Sequence, residues 1–122
     1  MAQVLALVDD LFFQAKLLET AKHVGVELRC VATAATLLDE ARRSAPALVV
    51  IDLNARGGGI EAVQQIQRDN PWPVIGFLSH VQTELAERAR QAGCHEVMPR
   101  SKFTQDLAAI LSRAKTPANT QA

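Results

Sequence analysis

The sequence predicts an α/β fold, a doubly wound (βα)5 three-layer sandwich built on a five-stranded parallel sheet. Three observations carry this expectation. Five short apolar runs are spread along the 122 residues. Helical periodicity fills the intervals between them. Three of the runs are continuously apolar, as parallel strands covered on both faces are. Strands alternating with helices of this length give a parallel sheet with helices on both sides, and right-handed crossovers leave few topologies.

In chain order, the first run is Val4-Leu5-Ala6-Leu7-Val8. Leu11, Ala15, Leu18, Ala21 and Val24 then recur at helical spacing, and Gly25 supplies a stop. The second run, from Glu27 to Val31, is mixed, as edge strands tend to be. Leu37, Leu38 and Ala41 form a short stripe behind Thr33 as cap. Leu48-Val49-Val50-Ile51 is the third strand, followed by the stripe Ile60, Val63 and Ile66, which ends at Asn70-Pro71. Val74 to Leu78 is the fourth strand; Leu85, Ala89 and Ala92 follow, with Gly93 just past their end. Glu96-Val97-Met98 is again mixed, and Phe103, Leu107, Ile110, Leu111 and Ala114 form the last stripe, with Ser101 as the expected N-cap. One domain, 1–115, is expected. Residues 116–122 lack large apolar side chains and are expected to be a flexible tail or the start of a linker.

Composition narrows the function. Hydrophobic residues make up 48% of the chain, enough for a core, while 13 basic residues balance 13 acidic ones. That balance provides no broad field for holding nucleic acid or an anionic membrane. Cys30 and Cys94 stand apart, with no CxxC pair, against a disulfide framework or a structural zinc. No basic segment precedes the first apolar run, and no run approaches the roughly 20 residues that span a bilayer. A cytoplasmic protein is expected.

An open parallel sheet places its site beyond the carboxyl ends of its strands, where the winding reverses. Asp9-Asp10 follows the first strand, Asp52 the third, Ser79-His80 the fourth and Pro99-Arg100-Ser101 the fifth. If the first and third strands are neighbours, three carboxylates converge and favour a cation or protonation. Oxygen ligands at a partly hydrated cluster suit Mg²⁺. Such an ion would draw in a phosphoryl group, whose remaining oxygens Ser79 and Arg100 could bind.

These residues resemble a known family. Val8-Asp9-Asp10, Ile51-Asp52-Leu53-Asn54, Ser79 and the turn Gln91-Ala92-Gly93-Cys94-His95-Glu96 look like the pattern of response regulator receiver domains (CheY-like), over nearly the whole chain. The resemblance implies a flavodoxin-like strand order 2-1-3-4-5. It implies Asp52 as phospho-acceptor and Mg²⁺ held by Asp9, Asp10, Asp52 and the Asn54 carbonyl, with Ser79 as the hydroxyl that moves toward the phosphoryl group. It also implies a sensor histidine kinase or phosphotransfer protein as donor and a downstream effector protein as target. The output would be altered protein contacts, not enzymatic turnover of a separate substrate. The last helix, with its apolar stripe and the basic pair Arg113 and Lys115, suits either a homodimer face or core with a solvated end.

Departures from the pattern set up an alternative. Arg100 stands where the family has lysine, and Ser101 follows where it has proline. Lys102 is the nearest substitute. Arginine is a planar, permanently charged fork, whereas lysine is a compact point charge. Arg100 could grip a phosphoryl group, or pair permanently with Asp52 or Asp9 and make the chain a phosphorylation-independent interaction module. Val97 occupies the place of the switch aromatic, and His80 could narrow the entrance. Gly57-Gly58-Gly59 makes a permissive loop. The plainer readings are helix caps for Asp9, Asp10 and Ser79 and a solvated turn residue for Asp52. A flavin or dinucleotide binder is disfavoured, since no phosphate loop follows the first strand and aromatics are few.

Overall fold

The computed structural model describes residues 3–79 and 82–115. Five strands, β1 (Val4–Leu7), β2 (Leu28–Val31), β3 (Leu48–Asp52), β4 (Val74–Leu78) and β5 (Glu96–Pro99), pair in parallel in the order β2-β1-β3-β4-β5. The continuously apolar runs are the three central strands and are buried throughout. The two mixed runs are the edges, where one side of the strand meets water.

Helices α1 (Leu11–Val24), α2 (Ala34–Ser44), α3 (Gly59–Asp69), α4 (Thr83–Ala92), α5 (Arg100–Gln105) and α6 (Leu107–Ser112), with a 3-10 turn at Arg113–Lys115, cover both faces. Leu5, Leu7, Val49 and Ile51 pack against Leu37, Ala41, Val63, Ile66 and Ala89 of α2, α3 and α4. Val4, Ala6, Val50, Ile75 and Phe77 pack against Phe13, Leu17, Phe103, Leu107 and Ile110 of α1, α5 and α6. Each fully buried aliphatic or phenyl side chain contributes about 1.5–3 kcal/mol, so both layers anchor the sheet. No helix among the described residues is long and apolar enough to cross a membrane.

The expected stops and caps recur. Gly25 ends α1 in the left-handed region (φ 84°), and Thr33 accepts the Thr36 N–H. Three expectations change. Of the expected stripe, Leu11, Ala15 and Leu18 face outward, with Leu11 75% exposed and Phe12 beside it 92%, whereas Ala21 is buried with Phe13 and Leu17, and Val24 packs partly against them. Ser101 is not the final cap: Pro99 occupies the N-cap position and Ser101 already lies within α5. The last helix is interrupted at Asp106, whose carboxylate meets Lys102 at 3.0 Å. Lys102 therefore points along its own helix. His80 and the tail 116–122 lie outside the described residues.

The register positions the site. Leu7 pairs with Ile51, Asp52 with Phe77 and Leu78 with Pro99, so these strands end on one rim. Trp72, buried just before β4, sits at the opposite end of the sheet and reports on the core.

Candidate functional site

The rim carries the acid pair, Asp52, Asn54, Ser79 and Arg100. Asp52 is the last residue of β3 and is 3% exposed. Its Oδ1 accepts the Asn54 N–H at 2.9 Å, and its Oδ2 lies 3.5 Å from Arg100 Nη2. Burial pushes the Asp52 carboxyl above its usual range; the Asn54 N–H and Arg100 oppose this, and the charges of Asp9 and Asp10 add to it.

Asp10 has two roles. Its Oδ1 caps α1, accepting the Phe12 and Phe13 N–H groups at 2.9 and 3.2 Å, as the capping expectation had it. Its Oδ2 accepts from Arg100 Nη1 at 3.3 Å. The Phe13 N–H, with help from Arg100 and the Phe12 N–H, holds this carboxyl below its usual range against a smaller burial penalty. Asp9 is engaged elsewhere: its Oδ2 accepts the Arg56 N–H at 2.9 Å. That contact ties the end of β1 to the loop after β3.

Arg100 links the two halves of the site. It is the first residue of α5, and its side chain is 30% exposed. Its guanidinium carbon stands 4.5 Å from the centre of the Phe13 ring and 5.5 Å from that of Phe77, within cation–π range. Phe77 stacks on Phe103 at 4.7 Å and meets Phe13 edge-on at 5.3 Å. The cation thus rests on rings supplied by α1 and β4, backed by the Phe103 ring of α5.

Asn54 forms a second link, through its side chain. Its Oδ1 accepts both the Ser79 N–H at 2.8 Å and the Ser79 hydroxyl at 3.1 Å. Ser79 is exposed and joined to the Asp52 loop through Asn54. The glycine loop is closely packed: a Cβ on Gly57 would meet the Ala32 carbonyl oxygen at 2.7 Å, and one on Gly59 would meet Leu53 Cα at 2.6 Å. These glycines serve close approach more than freedom.

The divalent ion that this fold implies can be tested against these positions. Among the described residues, no three His, Cys, Asp or Glu side chains gather closely enough to hold a metal ion. Asp10 Oδ2 and Asp52 Oδ2 both face the Arg100 guanidinium, which spans them. With Arg100 in place, the arrangement does not fit a divalent ion. Sequence reasoning placed Asp9, Asp10, Asp52, Ser79 and Arg100 on this rim. It missed the Arg56 N–H, the Asn54 side-chain link and the aromatic seat, although Phe77 lay in the fourth apolar run and Phe103 in the last stripe.

No protein-family model matches the sequence, and no curated protein matches it either. Solved structures do. The receiver domain of NtrX from Brucella abortus is 22% identical, with a TM-score of 0.80, over 93% of this chain and 99% of that one. A response regulator receiver domain protein from Clostridium thermocellum is 19% identical, with a TM-score of 0.79, over 93% and 94%. A longer NtrX chain from Brucella abortus, solved with ADP, is 23% identical with a TM-score of 0.80; this chain covers 27% of its length. The strand order, the helices on both faces and these likenesses agree: this chain has the fold of response regulator receiver domains.

Proposed function

We propose that this chain is a cytoplasmic signalling module of the receiver type that acts through protein contacts and works without phosphorylation, its acid site closed by Arg100. One observation carries the proposal. The Arg100 guanidinium reaches Asp10 and Asp52 together while resting on Phe13. A permanent cation there supplies the charge that the buried Asp52 needs. Signalling then depends on which surface the fold presents, not on turnover of a substrate. The partner is a downstream effector protein. The end of β4, α4 and β5 offer it a groove of about 210 Å³ lined by Leu78, Ala86, Val97 and Met98, among others.

A second reading rests on the link from Asp52 through Asn54 to the Ser79 hydroxyl. This link ties a hydroxyl to the loop of a strand-end carboxylate, as phosphoryl acceptance on Asp52 would require. In that reading Arg100 swings aside, Mg²⁺ binds through Asp9, Asp10, Asp52 and the Asn54 carbonyl, and a sensor histidine kinase or phosphotransfer protein is the donor. Incubation with acetyl phosphate, or with beryllofluoride and Mg²⁺, separates the two. The closed site predicts no phosphoryl mass gain and no spectral change. A mass gain that disappears in Asp52→Asn would refute it and establish phosphoryl acceptance.

A further inference from the structure

The following inference rests on the closed-site reading and explains how closure is achieved. Clustered carboxylates at the end of a sheet repel one another unless a cation joins them. At this rim a side chain supplies the cation. Arg100 starts α5, directly after β5, so its head turns back over the ends of the central strands. Both carboxylate oxygens it meets, Asp10 Oδ2 and Asp52 Oδ2, are the ones left over by other bonds: Asp10 Oδ1 caps α1, and Asp52 Oδ1 takes the Asn54 N–H.

The seat beneath Arg100 is built rather than incidental. Phe13, Phe77 and Phe103 pack on one another at 4.7–6.0 Å between ring centres, and all three are buried. Arg100 Nε is itself buried and has no hydrogen-bond partner. The head thus keeps its position although one donor goes unsatisfied. A guanidinium engaged only in a surface ion pair would turn that N–H to water.

We propose that Arg100 is a resident cation that keeps divalent metal out of this rim, and that removing its charge converts Asp9, Asp10 and Asp52 into a Mg²⁺ site. The chemistry is that of hard oxygen donors and a hard cation. The guanidinium joins Asp10 and Asp52 through separate nitrogens and is broader than Mg²⁺, so it fills the place where an ion would sit. The three carboxylates therefore lie close enough to feel one another's charge but are not gathered into a metal-binding group.

The test uses the full chain and Arg100→Met, which keeps an unbranched apolar stem over Phe13 and Phe77 but carries no charge. Melting midpoints are measured with millimolar MgCl₂ against NaCl of equal ionic strength. The parent protein is expected to be unmoved by Mg²⁺. The variant is expected to gain roughly 5 °C once Mg²⁺ exceeds its dissociation constant about tenfold, and Asp52→Asn in the same background is expected to abolish the gain. If neither protein responds, the resident-cation inference fails while the closed site stands. If the parent itself responds, both fail. Should Arg100→Met not fold, Arg100→Lys takes its place: a single ammonium lacks the two-pronged fork that holds both carboxylates through separate nitrogens. A smaller Mg²⁺ response is then expected, and none would overturn the inference.

Discussion

Gly59→Ala tests whether the loop after Asp52 is held by close contact or merely left free. A Cβ at Gly59 would lie 2.6 Å from Leu53 Cα, 2.8 Å from the Asp52 carbonyl oxygen and 2.9 Å from the Leu53 carbonyl carbon. Comfortable carbon contacts start near ~3.5 Å, so the backbone of β3's last residues or the start of α3 must move by almost an ångström. No neighbouring rotamer can relieve this, because all three atoms are backbone. Overpacking of this kind costs about 1–3 kcal/mol. The helix preference of alanine over glycine returns at most about 1 kcal/mol. A net loss of about 1–2 kcal/mol is expected, which for a domain of this size lowers the melting midpoint by roughly 4–8 °C. Urea unfolding followed at the buried Trp72 should show a lower midpoint with an unchanged slope. Gly76→Ala is the internal control. Its Cβ would meet side chains, Cys94 Sγ and Leu53 Cδ1, each at 3.0 Å, and these can give way. If Gly59→Ala proves neutral, or milder than Gly76→Ala, the close-packing argument is wrong.

Two further outcomes follow from the rim. Asn54→Ala removes the acceptor for the Ser79 N–H and hydroxyl. It should cost about 0.5–1.5 kcal/mol and speed hydrogen exchange at the Ser79 amide; unchanged exchange there would mean that Asn54 does not hold that loop. The pH dependence has a definite sign. Asp52 binds its proton more readily folded than unfolded, because burial raises its carboxyl. Its stabilisation is therefore present below the ordinary carboxylate range, about pH 3.9, and is lost as pH rises through its raised value. Asp10 and Asp69, both held low, behave oppositely: their contributions are present above that range and are lost as pH falls through their lowered values. Asp52→Asn should remove only the first component. The difference between parent and variant urea midpoints should thus change across weakly acidic pH and level off on either side, whereas parallel profiles would refute the assignment.

Much of this architecture was legible because the strands are distinct from what surrounds them. Val74 to Leu78 matches the fourth apolar run end to end, and Gly25, Thr33 and Gly93 mark helix ends through backbone and capping chemistry that acts locally. Helix α1 shows where local signals stop. It carries two apolar stripes, Leu11-Ala15-Leu18 and Phe13-Leu17-Ala21, and periodicity cannot say which one the sheet will cover. The choice depends on how Asp10, fixed at the end of β1, orients the first turn. Phe13 turns inward onto Phe77, and Phe12 is left in water. The break at Asp106 has no glycine or proline to announce it. A carboxylate that pairs with Lys102 one turn back is compatible with a continuous helix as well.

The site divides along the same line between what topology dictates and what side chains decide. Strand order alone brings residues 9, 10, 52, 79 and 100 to one rim, since each ends or closely follows a strand of a parallel sheet. Whether they meet a metal, a phosphoryl group or one another depends on the length and shape of a single cation. A lysine head is compact and could leave the two carboxylates to other partners. The arginine fork spans both and, through its flat face, uses rings from positions 13 and 77, which Phe103 supports in turn. Arg100 is therefore the one residue at which a conservative exchange should change what the acid rim binds while leaving the fold that assembles it in place.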